Sequence, residues 1–333
     1  MTEANLPFVS IIITNFNNEH LLNSCILSIE AVYYPKENME IIVVDDSSMD
    51  GSADMVRQKF PFVKIIQNKT TKGPAESKNI GLRLAKGSLI AYLDNDVEVE
   101  KTWLAPLVKT INSSDKIGVC CSKVLFLDDK KRINSTGGVV NIYGDAWGRG
   151  IFEPDEHQYD SKRNVFYGCS AAMLARKEVV KKVGCFDKDY FYLYEDLDCG
   201  WKINLVGYRA VYVPESVAYH KFGAVMIRGT FFVRYLTERN RITTLLKNYQ
   251  IKTLIKIFPG FLKIRAYKTI NTFNSAKNMR VKCFVAFLLA WIWNIMNVPG
   301  TLKKRSAVQA VRKISDKEIF SLMGDYKLKI FTR

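Results

Sequence analysis

Residues 89–96 read LIAYLDND. The apolar run suits a parallel strand buried on both faces, yet it ends on two carboxylates, Asp94 and Asp96. At positions i and i+2 of an extended chain, both would project to the same side. Paired oxygen ligands of that kind suit a hard divalent cation. The plainer alternative for so short a motif is an acidic loop that caps the next helix.

Working upstream from this stretch, VSIIITN (9–15), EIIVVDD (40–46) and VKIIQN (63–68) are three more apolar runs that end in polar residues. Between them lie EHLLNSCILSIEAV (19–32), DGSADMVRQKF (50–60) and AESKNIGLRLAKG (75–87), with apolar residues at helical spacing or with capping signals. The order βαβαβαβ predicts a parallel sheet with helices on its faces. Ligands of such sheets bind beyond the carboxyl ends of the strands. Those ends carry Thr14 and Asn15, Asp45 and Asp46, Asn68, then Asp94 and Asp96, so acidic groups from separate strands converge on one crevice. No G-x-G-x-x-G follows the first strand, which excludes a dinucleotide site of that type.

Downstream the alternation loosens. IGVCCSKVLFL (117–127) and VVNIYG (139–144) read as strands of a mixed sheet, with a flexible turn at Gly137–Gly138. NVFYGCSAAMLARKEVVKKVG (164–184) reads as a strand running into a helix, YEDLDCGWKINLVG (194–207) as a helix, and YRAVYVP (208–214) as a last strand before VAYHKFG (217–223). The helix from Tyr194 opens on Glu195 and Asp196 after an aromatic run. Acidic residues in a first helical turn are stabilised by the dipole at roughly 0.3–1 kcal/mol, but Glu195, Asp196 and Asp198 exceed what capping needs. A carboxylate beside an aromatic wall and near a bound cation is a reasonable general base. His220, at the mouth of the same crevice, becomes a candidate ligand only in combination with the acidic strand end.

The chain has 333 residues, with seven cysteines that form no C-x-x-C pair; they are expected to be reduced thiols in a cytosolic protein. The first seven residues carry no apolar stretch, so no secretory leader is expected. The net charge of +16 is unevenly spread. From Lys221 onward there are 23 Lys and Arg against 4 Asp and Glu, and the residues before it hold 26 against 29. A near-neutral body, residues 1–224, and a basic helical region, residues 225–333, are therefore expected to meet different partners.

VSIIITNFN, VVDDSSMDGS, GPAESKNIGLRLAKGSLIAYLDND and the long segment from YGCSAAML to VAYH resemble, in order and spacing, the family 2 glycosyltransferases of GT-A fold, most closely their rhamnosyltransferase-like branch. The resemblance covers roughly residues 8–245. It implies an α/β fold with a mostly parallel central sheet and an inverting, metal-dependent sugar transfer from a nucleotide donor. It further implies that Asp46 reads a pyrimidine base near Thr14 and Asn15, that Asp94 faces the ribose, and that Asp96 and His220 hold Mg²⁺ or Mn²⁺. Asp196 would be the catalytic base, with Glu195 as its neighbour. Two departures concern donor contacts: Lys78 stands before Asn79 where the family commonly has arginine, so a diphosphate would meet a point charge rather than a fork, and Lys202 also replaces a frequent arginine. The implied partners are a UDP-, dTDP- or GDP-sugar and a glycan or lipid-linked saccharide acceptor.

A non-catalytic sugar-nucleotide-binding protein of the same fold is the rival reading, and it would lack a base or a metal ligand. A nucleotidyltransferase would want a glycine- and arginine-rich loop after the first strand, where TNFNNEH (14–20) offers none. The basic region mixes its charge with IKTLIKIFPGFLKI (251–264) and CFVAFLLAWIWNIM (283–296), which suits an anionic membrane surface better than nucleic acid. The second run falls short of the ~20 residues that spanning needs, so an interfacial helix is expected, flanked by Lys277, Arg280, Lys282, Lys303, Lys304 and Arg305. This places the protein in the cytoplasm, peripheral on the inner membrane face.

Overall fold

A computed structural model describes residues 6–161, 163–221, 223, 231–275 and 277–327, with backbone alone for 269–275 and 277–280. The elements run β1 (Val9–Asn15), α1 (Glu19–Glu30), β2 (Met39–Asp45), α2 (Ser52–Lys59), β3 (Lys64–Gln67), α3 (Pro74–Leu84), β4 (Leu89–Asp94), β5 (Val97–Val99), α4 (Leu104–Ile111) and β6 (Ile117–Phe126). There follow β7 (Ile133–Ser135), β8 (Gly138–Val140), β9 (Ala146–Gly148), β10 (Asn164–Val165), β11 (Ala172–Arg176), α5 (Lys177–Lys182), α6 (Glu195–Leu205) and β12 (Arg209–His220). The last third is helical: α7 (Phe231–Asn248), α8 (Ile251–Ser275), α9 (Lys277–Met296), α10 (Val298–Ala310) and α11 (Asp316–Met323).

The large sheet has the order β10-β12-β6-β11-β4-β1-β2-β3. β1, β2, β3 and β4 pair in parallel, as the βα alternation predicts. β11 enters antiparallel between β4 and β6, and β12 then runs parallel to β6. Every residue of β1 is buried, because alternate side chains feed two cores. Ile11 and Ile13 join Val43 and Leu93 under α1 and α4. Ile12 faces the other way, with Ile42 and Tyr92, under α3 and α5. The register sets Asn15 beside Asp45 and Thr14 beside Asp94, which lines the strand ends in one row.

Two expectations change on the far side of the sheet. VVNIYG does not enter the main sheet; β8 pairs with β9 in a separate ribbon. Its turn is closed by Asn141 Oδ1, which accepts from the backbone N–H groups of Tyr143 and Asp145 at 3.0 Å each. Gly137 and Gly138 are buried rather than a flexible turn. A Cβ on Gly137 would lie 2.5 Å from Val165, and one on Gly138 would enter the Tyr167 ring.

A third core joins the two regions. Leu197, Trp201 and Leu205 on one stripe of α6, with Val140 and Phe166, meet Ile242, Leu245, Tyr249, Phe261, Val308 and Ile319 from the last third. The Trp201 and Tyr249 rings meet edge to face at 4.8 Å, a geometry that adds about 0.5–1.5 kcal/mol to the burial itself. The expected boundary at 224/225 lies outside the described residues. α10 and α11 extend the helical region beyond the segments that the apolar runs predict.

No single helix among the described residues is long and apolar enough to cross a membrane; Val281–Met296 with Val298–Ala310, bent by 69°, has the length and composition only as a pair.

Candidate functional site

β4 stops at Asp94, and Asn95 and Asp96 turn the chain into β5. The two carboxylates therefore meet through a turn, not through the alternation of an extended strand. Asn95 fixes that turn by donating to Asn15 Oδ1 at 2.6 Å and to the Asn17 carbonyl at 3.0 Å. β12 ends against the same turn, with His220 opposite Val97 and the Lys221 N–H donating to the Asp96 carbonyl at 2.9 Å. The outcome is a three-residue cluster, Asp94, Asp96 and His220, whose ligand atoms all lie within 4.8 Å of one another. His220 Nε2 is 3.2 Å from Asp96 Oδ1, and its Nδ1 is 3.3 Å from Asn134 Oδ1.

This donor set fits a hard divalent cation. Burial raises the Asp94 carboxyl above its ordinary range, Lys78 opposes that, and Asp96 raises it further. Burial would lower the His220 imidazole, but the bond and charge of Asp96 outweigh it and raise it. A cation would relieve the repulsion between the aspartates and take over the imidazole nitrogen that Asp96 now occupies. Asn134, an outer partner that orients His220, was not legible in the sequence; its Nδ2 has no partner among the described residues.

The second cluster belongs to α3, α6 and the segment before β11. Lys78 Nζ lies 3.1 Å from Glu195 Oε1 and 3.4 Å from Asp196 Oδ1, and it also donates to Ser170 Oγ. The Ser170 N–H donates to Asp196 Oδ2 at 2.9 Å. Burial alone would lower the Lys78 ammonium, but Asp196, then Glu195 and Asp94, push it well above its ordinary range, so it stays charged. Glu195 is raised by burial, against the pull of Lys78. The side chain of Asp196 is 18% exposed and that of Glu195 8%, so Asp196 is the more exposed carboxylate of the pair. Lys78, expected at a diphosphate, pairs with both acidic residues here. Ser170 is a further participant that sequence reasoning missed, and an isolated serine before a strand gives no signal.

The remaining strand ends are tied to neighbouring loops. Asp46 accepts from Asn68 Nδ2 at 2.8 Å and from the backbone N–H groups of Lys72 and Gly73 at 2.9 and 2.8 Å. It thereby fixes the loop before α3. Asn15 donates to Asp45 Oδ1 at 2.7 Å and to Ser48 Oγ at 3.1 Å, so it ties β1 to the β2 loop.

Asp198 separates from its two acidic neighbours. It is fully buried and pairs with Lys247 at 3.0 Å and Lys202 at 3.2 Å. Lys202 also donates to the Cys185 carbonyl at 2.8 Å, so its replacement of arginine concerns the interior. All seven cysteines are free thiols. A second acidic group, Asp155, His157 and Asp160, already surrounds the Lys123 ammonium at 3.0–3.5 Å.

The model of glycosyl transferase family 2 matches residues 10–184. Glycosyltransferase AglE of Haloferax volcanii is 25% identical over 228 residues, which cover 65% of this chain and 68% of that protein. Two solved structures share the fold. A mannosyltransferase, PcManGT from Pyrobaculum calidifontis, in complex with GDP-Man and Mn²⁺, superposes with a TM-score of 0.55 at 17% identity, over 93% of this chain and 87% of that one. GalNAc-T7 with UDP, GalNAc and Mn²⁺ superposes at 0.61 and 17% identity, over 89% of this chain and 58% of that one.

Proposed function

The chain belongs to glycosyl transferase family 2 and has the GT-A fold, and from that premise we propose an inverting, metal-dependent transfer of a sugar from a nucleoside diphosphate to an acceptor hydroxyl. The observation that carries the proposal is that the two required clusters adjoin across Lys78. Asp94, Asp96 and His220 form a cluster that could hold a cation, and Asp196 presents the more exposed carboxylate on the far side of Lys78, which feels both Asp94 and Asp196. The nucleotide and Mn²⁺ in the two solved neighbours support the same donor and ion classes, Mg²⁺ being the alternative metal.

Asp96 and His220, with Asp94 beside them, would hold the ion, which when bound neutralises charge on the departing diphosphate as a Lewis acid. Asp46, Thr14 and Asn15 line the donor side. Asp196 accepts the proton of the acceptor hydroxyl as that oxygen attacks the anomeric carbon from the face opposite the diphosphate. A single displacement inverts the configuration. Lys78 and the Ser170 N–H keep Asp196 oriented. The test is release of nucleoside diphosphate from a panel of UDP-, dTDP- and GDP-sugars with Mn²⁺ or Mg²⁺ and saccharide acceptors. Product with inverted anomeric configuration is expected; retention, or no release from any donor, overturns the reading.

The acceptor side is proposed to be a lipid-linked saccharide at an anionic membrane. On α8, Ile251, Ile255, Phe258 and Leu262 form one exposed stripe; on α9, Val281, Phe284, Leu288, Ile292 and Ile295 form another. Exposed Lys252, Lys256, Lys263, Lys282 and Lys303 lie among these stripes or beside them. Apolar rows mixed with cations match a surface of acyl chains beneath phosphates.

A further inference from the structure

The segment that delivers Glu195 and Asp196 is backbone that L-residues resist. Phe191, Leu193 and Tyr194 have φ of 61°, 67° and 70°, and such conformations cost of order 1–3 kcal/mol each in non-glycine residues. At Phe191, ψ is −68° and the Tyr192 N–H reaches back to the Tyr190 carbonyl at 2.6 Å, a γ-turn of the strained hand. Strain of this kind persists only where the surroundings over-determine it.

α7 supplies those surroundings. Asn240 is fully buried and shares its Nδ2 hydrogens among the carbonyls of Tyr190, Tyr192 and Leu193 at 3.1, 2.9 and 2.7 Å. Arg239 donates to the carbonyls of Asp189 and Tyr190 at 2.7 and 2.9 Å, and its Nε donates to Asn240 Oδ1 at 2.8 Å, which orients the amide. Arg241 Nε donates to the Tyr194 hydroxyl at 3.0 Å. The opposite side of the segment rests on the loop that Asp46 fixes: the Ala75 N–H donates to the Phe191 carbonyl at 3.4 Å. A Cβ on Gly73 would sit 2.5 Å from that oxygen.

Resting on the reading of Asp196 as the base, we infer that Asn240 is a positioning residue for the transfer. Its amide holds three carbonyls of the strained segment, and so sets where α6 begins and where Asp196 points. Arg239 supports it by holding the amide in that orientation. Among the described residues, neither side chain hydrogen-bonds to Asp94, Asp96, Glu195 or Asp196.

The experiment compares Asn240→Ala, Asn240→Asp and Thr243→Val in the full chain. Asn240→Asp restores the volume but brings no amide hydrogens, so it should behave like the alanine variant. Thr243→Val, on the same helix as Asn240, removes a hydroxyl that bonds Asn294 Oδ1 of α9 at 2.9 Å and the Arg239 carbonyl at 3.0 Å but makes no bond to residues 190–194. Both Asn240 variants should lose ~10–100-fold in kcat, with affinity for UDP, dTDP and GDP in Mn²⁺ within about threefold of the parent. The amides of 191–197 should exchange about tenfold faster in both. Thr243→Val should stay within about twofold in kcat. Wild-type kcat in either Asn240 variant, or an equal loss in Thr243→Val at matched stability, overturns the inference. If Asn240→Ala does not fold, Arg239→Lys is read instead, because it keeps the charge but loses the fork on two carbonyls; unchanged kcat and exchange there overturn the inference too. Should the parent turn over no donor at all, the transferase reading fails, while the exchange comparison still decides the role of Asn240.

Discussion

Lys78 and Glu195 are 117 positions apart in the chain and 3.1 Å apart in the fold. Removing one partner of a buried pair costs about 3–5 kcal/mol, because the other charge is left uncompensated. Lys78→Met is therefore expected to lower the urea unfolding free energy toward the lower end of that range, since Glu195 can take up a proton. Adding Glu195→Gln to Lys78→Met should recover much of the loss. An additive double mutant would show that the pair is not coupled.

Asp196→Asn keeps the volume and one acceptor oxygen, giving up either the Lys78 or the Ser170 N–H contact, and it cannot take a proton. A fall of about 10²–10⁴ in kcat is expected, with nucleotide affinity nearly kept. Glu195→Gln should cost less than Asp196→Asn. The reverse order of the two variants in steady-state kinetics would move the base to Glu195.

Turnover should cease in chelator and return with Mn²⁺ or Mg²⁺. Asp96→Ala should weaken Mn²⁺ binding, read by water-proton relaxation independently of catalysis. His220→Ala should do the same, and more mildly, because both aspartates remain. Full activity in chelator would remove the metal from the scheme.

Acid should loosen the junction between the sheet and the last third. Burial would raise Asp187, but Lys247 and then Lys304 hold it well below the usual carboxylate range; for Asp145, Arg241, Arg265 and Lys268 overcome burial in the same way. A carboxyl depressed on folding stabilises above its unfolded value, about 4, and that contribution is lost as pH falls below it toward the folded value. Urea unfolding free energy should therefore begin to fall near pH 5 and drop most steeply below about pH 4. Asp187→Asn should be less stable at pH 7 and show a shallower acid slope. An unchanged slope would disconnect Asp187 from the acid response.

Flotation with anionic liposomes should carry the protein up at low salt and lose it as salt rises, since each engaged cation contributes ~1 kcal/mol near an anionic leaflet. Phe258→Glu with Phe284→Glu should abolish flotation without altering thermal stability, because both side chains are about half exposed. Binding that survives these changes would exclude the α8 and α9 stripes as the contact. Truncation near 224 is a poor test, since it would strip the cover from Trp201 and Leu205.

The first half of the fold was legible because strands buried on both faces write continuous apolar runs, and polar residues then mark their carboxyl ends. Asp94, Asp96 and His220 could be brought together from sequence by resemblance, although the turn that joins the two aspartates could not. Lys78 and Ser170 were harder. A buried lysine looks like any helical lysine until its carboxylates, more than a hundred residues away, are placed beside it. The basic region misled in one respect. Lys304 pairs with Asp187 and Asp189, Arg305 caps the Leu246 and Tyr249 carbonyls, and Arg265 binds Asp145, so part of the charge that suggested an external partner is neutralised internally.

The third core and the α7 clamp bear on how such a chain can be recombined. The acidic pair is presented by α6, and α6 is covered by helices encoded after residue 230. The catalytic half is thus not a cassette to be grafted onto another tail. A chimera that replaces α7 must carry Asn240, Arg239 and Lys247 with it, or bring their counterparts together with a matching stretch 187–198. Exchange confined to the exposed faces of α8 and α9, with Phe261, Arg265 and Asn294 kept in place, is the change that should retarget the protein while leaving its chemistry intact.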